Sequence, residues 1–177
     1  MDDEPVAAKR ADADADSSIE LARVAARGDS VATGKLLRAL APRLARVVRA
    51  VLGAGHPDLD DAVQHALIGF VQALPAFRGD CDPLGYASVI AVRAALAVRK
   101  RTKTDYSRRD DGAEADAIPA GKASPSDEAA AQKRKEILRE LLAALPTEQA
   151  EALAMRVVLG WSLDEIAKQS EIGRAHV

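Results

Sequence analysis

The sequence predicts an all-α protein of two small helical domains joined by a flexible linker, and three observations lead there. Alanine fills 38 of the 177 positions while Phe, Trp and Tyr together fill five, so the 48% apolar share is helix-forming mass rather than the aromatic and β-branched mixture that sheets favour. Apolar residues recur at three- and four-residue spacings along most of the chain. Residues 104–127, rich in Gly, Pro, acidic and small side chains, interrupt that pattern and mark a domain boundary. With 29% charged residues the composition is that of a globular protein, which excludes collagen, a mucin-like stalk and a wholly disordered chain.

Residues 1–16, with the repeat ADADAD, lack apolar periodicity and read as a disordered acidic tail. Ser17 or Ser18 caps a short first helix carrying Ile19, Leu21, Val24 and Ala25, which Gly28 and Asp29 end. From Lys35 to Leu52 the residues Leu36, Leu37, Leu40, Leu44, Val47, Val48 and Val51 occupy one half of a helical wheel, and Lys35, Arg38, Arg43, Arg46 and Arg49 the other. That cationic half is either a solvated surface or a binding face. Pro42 removes the donor that would bond to the Arg38 carbonyl, so a kink or break is predicted there.

A second strong helix runs from Asp58 to about Leu74, with Asp58, Asp60 and Asp61 in its first turn, where carboxylates suit the dipole. Leu59, Val63, Ala66, Leu67, Phe70, Val71 and Leu74 form its expected buried stripe, and Asp61, Gln64 and Ile68 share another face open to a partner. Asp82-Pro83 starts the next helix, Asp as N-cap and Pro at the first helical position. Leu84, Ala87, Ile90, Ala91, Ala94, Ala95 and Val98 lead it into a cationic end, Arg99, Lys100, Arg101 and Lys103. Beyond the linker, helix Ala129–Leu145 carries Ile137, Leu138, Leu141 and Leu142. Pro146-Thr147 opens another through Ala150, Leu153, Ala154, Val157 and Val158 to Gly160, and Ser162 starts the last, with Leu163, Ile166 and Ala167 expected inward.

The formal net charge of -2 conceals an uneven distribution. Residues 21–52 and 93–109 each carry seven basic and one acidic side chain, whereas residues 1–20 carry two and seven and residues 53–82 one and five. Two cationic blocks therefore alternate with acidic ones, and seven cations within 93–109 exceed what capping a helix C-terminus needs. Cys81 is the sole cysteine, so no intramolecular disulfide forms and a reducing compartment fits. No segment approaches the roughly 18 apolar residues of a membrane span, and Met1 leads into Asp2, Asp3 and Glu4 rather than a signal peptide, so no membrane insertion and a cytoplasmic location are expected. His56, His65 and His176 are too scattered for a metal site, and neither a phosphate loop nor a nucleophile elbow occurs. No catalysis, metal or cofactor is expected.

Ser162-Leu-Asp-Glu165 is a capping box, in which the hydroxyl accepts from the Glu165 amide and the carboxylate reaches back to the Ser162 amide. A capped helix two residues after a helix ending at Gly160 is how helix-turn-helix units begin. The segment LLAALPTEQAEALAMRVVLGWSLDEIA resembles region 4 of sigma-70 family initiation factors at Leu145, Pro146, Arg156, Gly160, Ser162, Glu165, Ile166 and Ala167. LDDAVQHALIGFVQALPAFRGD is similar to their region 2.2 at Asp61, Ala62, Val63, Gln64, Ala73, Leu74, Pro75, Phe77, Arg78, Gly79 and Asp80. The small two-domain form resembles the extracytoplasmic-function group, over roughly residues 19–101 and 137–170.

The resemblance implies a sigma region 2 helix bundle at 17–103 and a partial region 4 helix-turn-helix at 128–170. It implies core RNA polymerase and promoter DNA as partners, with an anti-sigma factor as a further one. Asp61, Gln64 and Ile68 would dock on the polymerase. Tyr86, Arg93, Arg99, Lys100, Arg101 and Lys103 would engage the promoter minus-ten element, where strand separation calls for cations against phosphates and an aromatic face against bases. Ser162, Leu163, Glu165, Ile166 and Ala167 would form the first helix of the helix-turn-helix.

The chain departs from the family pattern in places. Tyr86 stands where Trp is frequent and reads equally as a core aromatic, Arg93 stands where Asn is common, and Ala97 where Asp is common. After Ser170 the family continues into a basic recognition helix, whereas this sequence reads EIGRAHV. IGRAHV is one-frame translation of a common sequencing adapter, so residues 171–177 are expected to be an adapter-derived tail on a truncated region 4. Two other functions fit the residues as well: a helix-turn-helix regulator acting on duplex DNA without polymerase, and a helical adaptor whose basic faces bind an acidic protein.

Overall fold

A computed structural model describes residues 17–79, 81–109 and 127–174, with side chains over 17–79, 81–102 and 130–168. Helix α1 spans 17–26, α2 Ser30–Leu52, α3 Leu59–Ala73, α4 Pro83–Arg109, α5 Asp127–Ala144, α6 Thr147–Ala154 and α7 Leu163–Arg174. A 3₁₀ turn, Leu74–Ala76, follows α3, and a π-helical turn, Met155–Leu159, extends α6. Every regular element among the described residues is helical, which is the predicted all-α class.

The first four helices form one bundle. Asp29 caps α2 by accepting from the Ala32 amide at 2.7 Å, directly after the Arg27-Gly28 turn that follows α1. Leu36, Leu40, Leu44, Val47, Val48 and Val51 bury the predicted stripe of α2. Lys35, Arg38, Arg43, Arg46 and Arg49 are exposed on its other side. No break occurs at Pro42: α2 is one helix through it. Pro42 is exposed, which leaves the Arg38 carbonyl open to water, while buried Leu40 and Leu44 hold both halves to the core.

Helix α3 is rotated relative to expectation. Ala62, Ala66 and Phe70 are its buried residues, whereas Val71, expected inside, is 38% exposed. At 100° per residue Val71 lies a full step from Phe70, at the margin of the buried arc. Phe70, Leu44, Val48, Val51 and Val92 are among the largest fully buried side chains, and each contributes about 1.5–3 kcal/mol by leaving water.

Helix α4 is covered on two sides. Its predicted stripe, with Ala87, Ala91, Ala95 and Val98, packs on α2 and α3. The opposite side, with Val89, Val92 and Leu96, is also buried, because α5, α6 and the π turn lie against it. Val89 clusters with Met155 and Ile166, and Trp161 packs on that cluster. The continuation of α4 to Arg109 passes the boundary expected at 103, so the first six residues of the expected linker are helical. The acidic tail expected at 1–16 and most of the linker lie outside the described residues, and the expected tail 171–177 is described only to Arg174, where it continues α7. Among the described residues no helix is long and apolar enough to cross a membrane.

Candidate functional site

The cationic end of α4 is built from its start. Asp82 caps the helix, its carboxylate accepting from the Leu84 and Gly85 amides at 3.2 Å each, and Pro83 is fully buried at the first helical position. One turn on, the buried Ser88 hydroxyl is satisfied by donating to the Leu84 carbonyl at 2.7 Å. This start fixes the rotation of the helix and thereby the directions of Tyr86, Arg93, Arg99, Lys100 and Arg101.

The structure does not bring those residues into one open surface. Tyr86 is half-buried, its ring 6.3 Å edge-on from Phe70 and 5.8 Å from Phe77. Burial, then the Cys81 thiol, push its phenol above its ordinary pKa against an opposing pull from Arg93. Arg93 Nε is 3.0 Å from the Glu151 carboxylate of α6. Arg99 donates through Nη1 to the Val51 carbonyl at 3.2 Å and through Nη2 to the Arg139 carbonyl at 2.6 Å. Burial, and then the neighbouring Arg139 guanidinium, lower the Arg99 pKa. The Nε atoms of Arg99 and Arg139 are both buried with no protein hydrogen-bond partner. Lys100 and Arg101 are exposed, and the Lys103 side chain lies outside the described residues.

A cleft of about 1100 Å³ opens between α4 and the α5–α6 corner, its walls including Arg93, Leu96, Lys100, Leu142 and Glu151. Apolar side chains line it together with Arg93, Lys100 and the Glu151 carboxylate, so it is a seam between two packed units that carries charges of both signs.

On α3, Asp61, Gln64 and Ile68 are all exposed, Ile68 at 53%. Val71 extends the same stripe, an exposed residue that the buried-stripe reading missed. Its signal was its spacing, three residues beyond Ile68. Two acidic or amide groups followed by two aliphatic ones make a strip whose N-terminal half is polar and whose C-terminal half is apolar.

At α7 the predicted capping box is present. The Glu165 carboxylate accepts from the Ser162 amide at 2.7 Å and the Ser162 hydroxyl at 2.8 Å, and the Glu165 amide donates to the Ser162 oxygen at 3.2 Å. Gly160 before it has φ +76, the left-handed conformation that ends the π turn. Ile166 is buried as expected, but Leu163 is 75% exposed and Ala167 is exposed. The expectation of all three inward is corrected: α7 packs on Met155–Leu159, and a single supporting turn covers one residue of the first two turns.

Two family models match the chain. Sigma-70 region 2 matches residues 36–104 and Sigma-70, region 4, matches residues 135–176. The chain belongs to the sigma-70 family. The region 4 match is of the form typical of extracytoplasmic-function factors, so this is a sigma factor of that type. No curated protein and no solved structure matches it. Region 2 thus corresponds to α2, α3 and most of α4, and region 4 to α5–α7. The two regions give this sigma factor a role in promoter recognition with RNA polymerase. The region 2 match ends at residue 104, just past the cationic run, and the region 4 match contains the whole Ser162–Glu165 cap. Groups of His, Cys, Asp and Glu suited to a metal ion are absent among the described residues.

Proposed function

We propose that this sigma factor docks on core RNA polymerase through the α3 strip Asp61, Gln64 and Ile68, extended by Val71, and opens promoter DNA with α4. In this reading Arg93, Arg99, Lys100, Arg101 and Lys103 hold the phosphates of the separated strand. Tyr86 presents the exposed part of its ring to a base. Ser162, Leu163, Glu165, Ile166 and Ala167 begin the helix-turn-helix that faces the upstream element, and an anti-sigma factor is the expected antagonist. The domains of the reading are 17–103 and 128–170.

The observation that carries it is the pairing of two dissimilar exposed surfaces within the region 2 match. One is a half-apolar strip without cations, suited to protein. The other is a cationic helix end with exposed Lys100 and Arg101, suited to a polyanion. A regulator acting on duplex alone has no use for the first surface, and an adaptor has no use for the region 4 unit.

Run-off transcription with core polymerase and a promoter template tests the proposal. Specific transcripts that depend on this chain are expected. The Lys100→Ala/Arg101→Ala variant should bind polymerase normally, open the promoter less, and flatten the salt dependence of log K by about 1.4, from roughly 0.7 per lost single-strand phosphate contact. Duplex binding without polymerase would identify a regulator instead, and binding to neither, with a protein recovered on the chain, an adaptor.

A further inference from the structure

Helix α2 carries a cationic face that neither the core nor the proposed docking and opening surfaces use. Lys35, Arg38, Arg43, Arg46 and Arg49 are all exposed, and Ser30–Leu52 contains no acidic residue to offset them. At 100° per residue the five cover an arc of about 140°, centred opposite Leu40, Leu44 and Val51 of the buried stripe. From Lys35 to Arg49 they extend over about 21 Å of helix. Ala39 and Pro42, exposed between them, keep the middle of the face low.

These charges are uncommitted. The acidic groups nearest in sequence are occupied elsewhere: Glu20 of α1 lies 3.8 Å from Arg23 and 3.9 Å from Arg27, and the Asp29 carboxylate caps α2 at the Ala32 amide. Among the described residues none of the five has an ion-pair partner, whereas Arg93 of α4 is paired with Glu151. Lys35 and Arg38, Arg43 and Arg46, and Arg46 and Arg49 stand three apart, a like-charge spacing that weakens the free helix and that a polyanion relieves.

We propose that this face binds the phosphate backbone of duplex DNA without regard to base sequence, as a second nucleic-acid surface separated from α4 by the core. Four of the five cations are Arg, whose planar fork can hold two phosphate oxygens at once. Arg38 and Arg49 lie on one flank and Arg43 on the other, so the face offers cations to phosphates on both sides of a groove. A duplex presents about twelve phosphates over 21 Å, more than enough for five contacts. A single strand fits less well, because α2 has no aromatic side chain for bases to stack on. A membrane surface fits less well again, since the leucine stripe lies in the core and Val31 is the one large apolar residue that α2 exposes. One end of the face adjoins region 4, where Arg43 and Arg46 share a pocket of about 180 Å³ with Val158 and Leu159.

The test is a salt series of anisotropy titrations, with the full chain and a labelled duplex of about 20 base pairs that lacks promoter sequence. Salt-dependent binding is expected, and a promoter duplex should bind no more tightly. That indifference to sequence separates it from the selective duplex binding by which a regulator would be known. Arg43→Gln/Arg46→Gln/Arg49→Gln should lower affinity at least about tenfold and flatten the salt dependence of log K by about 2.7, from about 0.9 per lost phosphate contact. Lys35→Gln/Arg38→Gln, on the other half of the face, should flatten it by about 1.8, so the result does not hang on one variant folding. Arg43→Lys/Arg46→Lys/Arg49→Lys should keep the native slope. Lys133→Gln/Arg134→Gln/Lys135→Gln removes three exposed charges spread around α5 and should leave the slope nearly unchanged. No salt-dependent binding by the native chain, or an unchanged slope in both α2 glutamine variants, would overturn the proposal. An equal loss in the α5 variant would also overturn it, reducing the effect to net charge. So would loss of polymerase association with duplex binding intact, which would assign the face to an acidic protein surface. The titrations contain neither promoter nor polymerase, so their failure leaves the docking and opening reading standing, and a failure of transcription leaves the duplex result standing.

Discussion

Arg99 of α4 donates to the backbone carbonyl of Arg139 in α5 at 2.6 Å while its other Nη holds the Val51 carbonyl at the end of α2. One side chain therefore ties three helices together, through the Val51 carbonyl in the last turn of α2 and through the second lone pair of the Arg139 carbonyl inside α5. Arg99→Ala removes both charge-assisted bonds and should lower stability to urea by about 1–3 kcal/mol. Lys100→Ala, at an exposed position one residue on, should stay within about 0.5 kcal/mol of the parent. A defect in promoter opening shared by both variants would report on DNA, whereas a defect confined to Arg99→Ala would report on the packing of α5.

The fold was legible in the sequence because the helices are strongly periodic and conventionally capped. Asp82 before Pro83 and Ser162 before Glu165 each make the hydrogen bonds that their types and spacing require. The second buried face of α4 was not legible, although Val89, Val92 and Leu96 lie three and four apart, because the cations among them gave that side the composition of a surface. What covers it is a tertiary choice made by α5 and α6, and periodicity within one helix carries no information about its second neighbour. Leu163 shows the converse limit: an apolar residue in the first turn of a well-capped helix was assigned inward by type, yet the turn beneath it supports Ile166 alone. The α3 strip was readable at Asp61, Gln64 and Ile68, and failed at Val71, where the spacing from Ile68 pointed outward while the valine type and a place on the margin of the buried arc pointed inward.

Tyr86 joins packing to the proposed base contact, and two substitutions separate them. Tyr86→Phe keeps the ring against Phe70 and Phe77 and should alter stability by less than about 1 kcal/mol, since the exposed part of the residue is preserved. Tyr86→Ala should cost about 2–3 kcal/mol, below the 3–5 typical of a fully buried aromatic. Promoter opening by Tyr86→Phe should equal that of the native chain if the ring face is what matters. Chemical denaturation together with permanganate footprinting of the open region measures both.

The α3 strip makes a prediction with little folding effect, because its residues are exposed and only Asp61 also supports the helix dipole. Asp61→Ala/Gln64→Ala should weaken association with core polymerase about tenfold, or about 1.4 kcal/mol, while stability falls by no more than about 1 kcal/mol. Adding Val71→Ser should deepen the loss, since removal of an apolar group from a protein contact sacrifices the area it covers. Co-purification and a fluorescence-anisotropy titration read the effect. Undiminished polymerase binding by the triple variant would assign docking to another face.

The cap on α7 makes region 4 sensitive to acid in a predictable direction. Glu165 is held below the ordinary glutamate range, first by the Ser162 amide, then by the Ser162 hydroxyl, with a slight opposing effect of desolvation and a small lowering contribution from Lys168. A folded-state pKa below the unfolded one means that the carboxylate supports the capped helix at any pH above the unfolded value. That support fades as pH falls toward and through the lower folded value. Between about pH 7 and about pH 3, the protection of the Ser162, Glu165 and Ile166 amides, that is their exchange relative to the intrinsic rate at the same pH, should therefore fall. The Ile166 amide belongs in that set because it donates to the Ser162 carbonyl at 3.1 Å and opens with the same turn. Glu165→Gln keeps a neutral acceptor on the same stem, so it should start from a weaker cap at neutral pH and lose the acid dependence at these three amides. An acid response identical in the two proteins would place its origin in global unfolding rather than in the Ser162–Glu165 box.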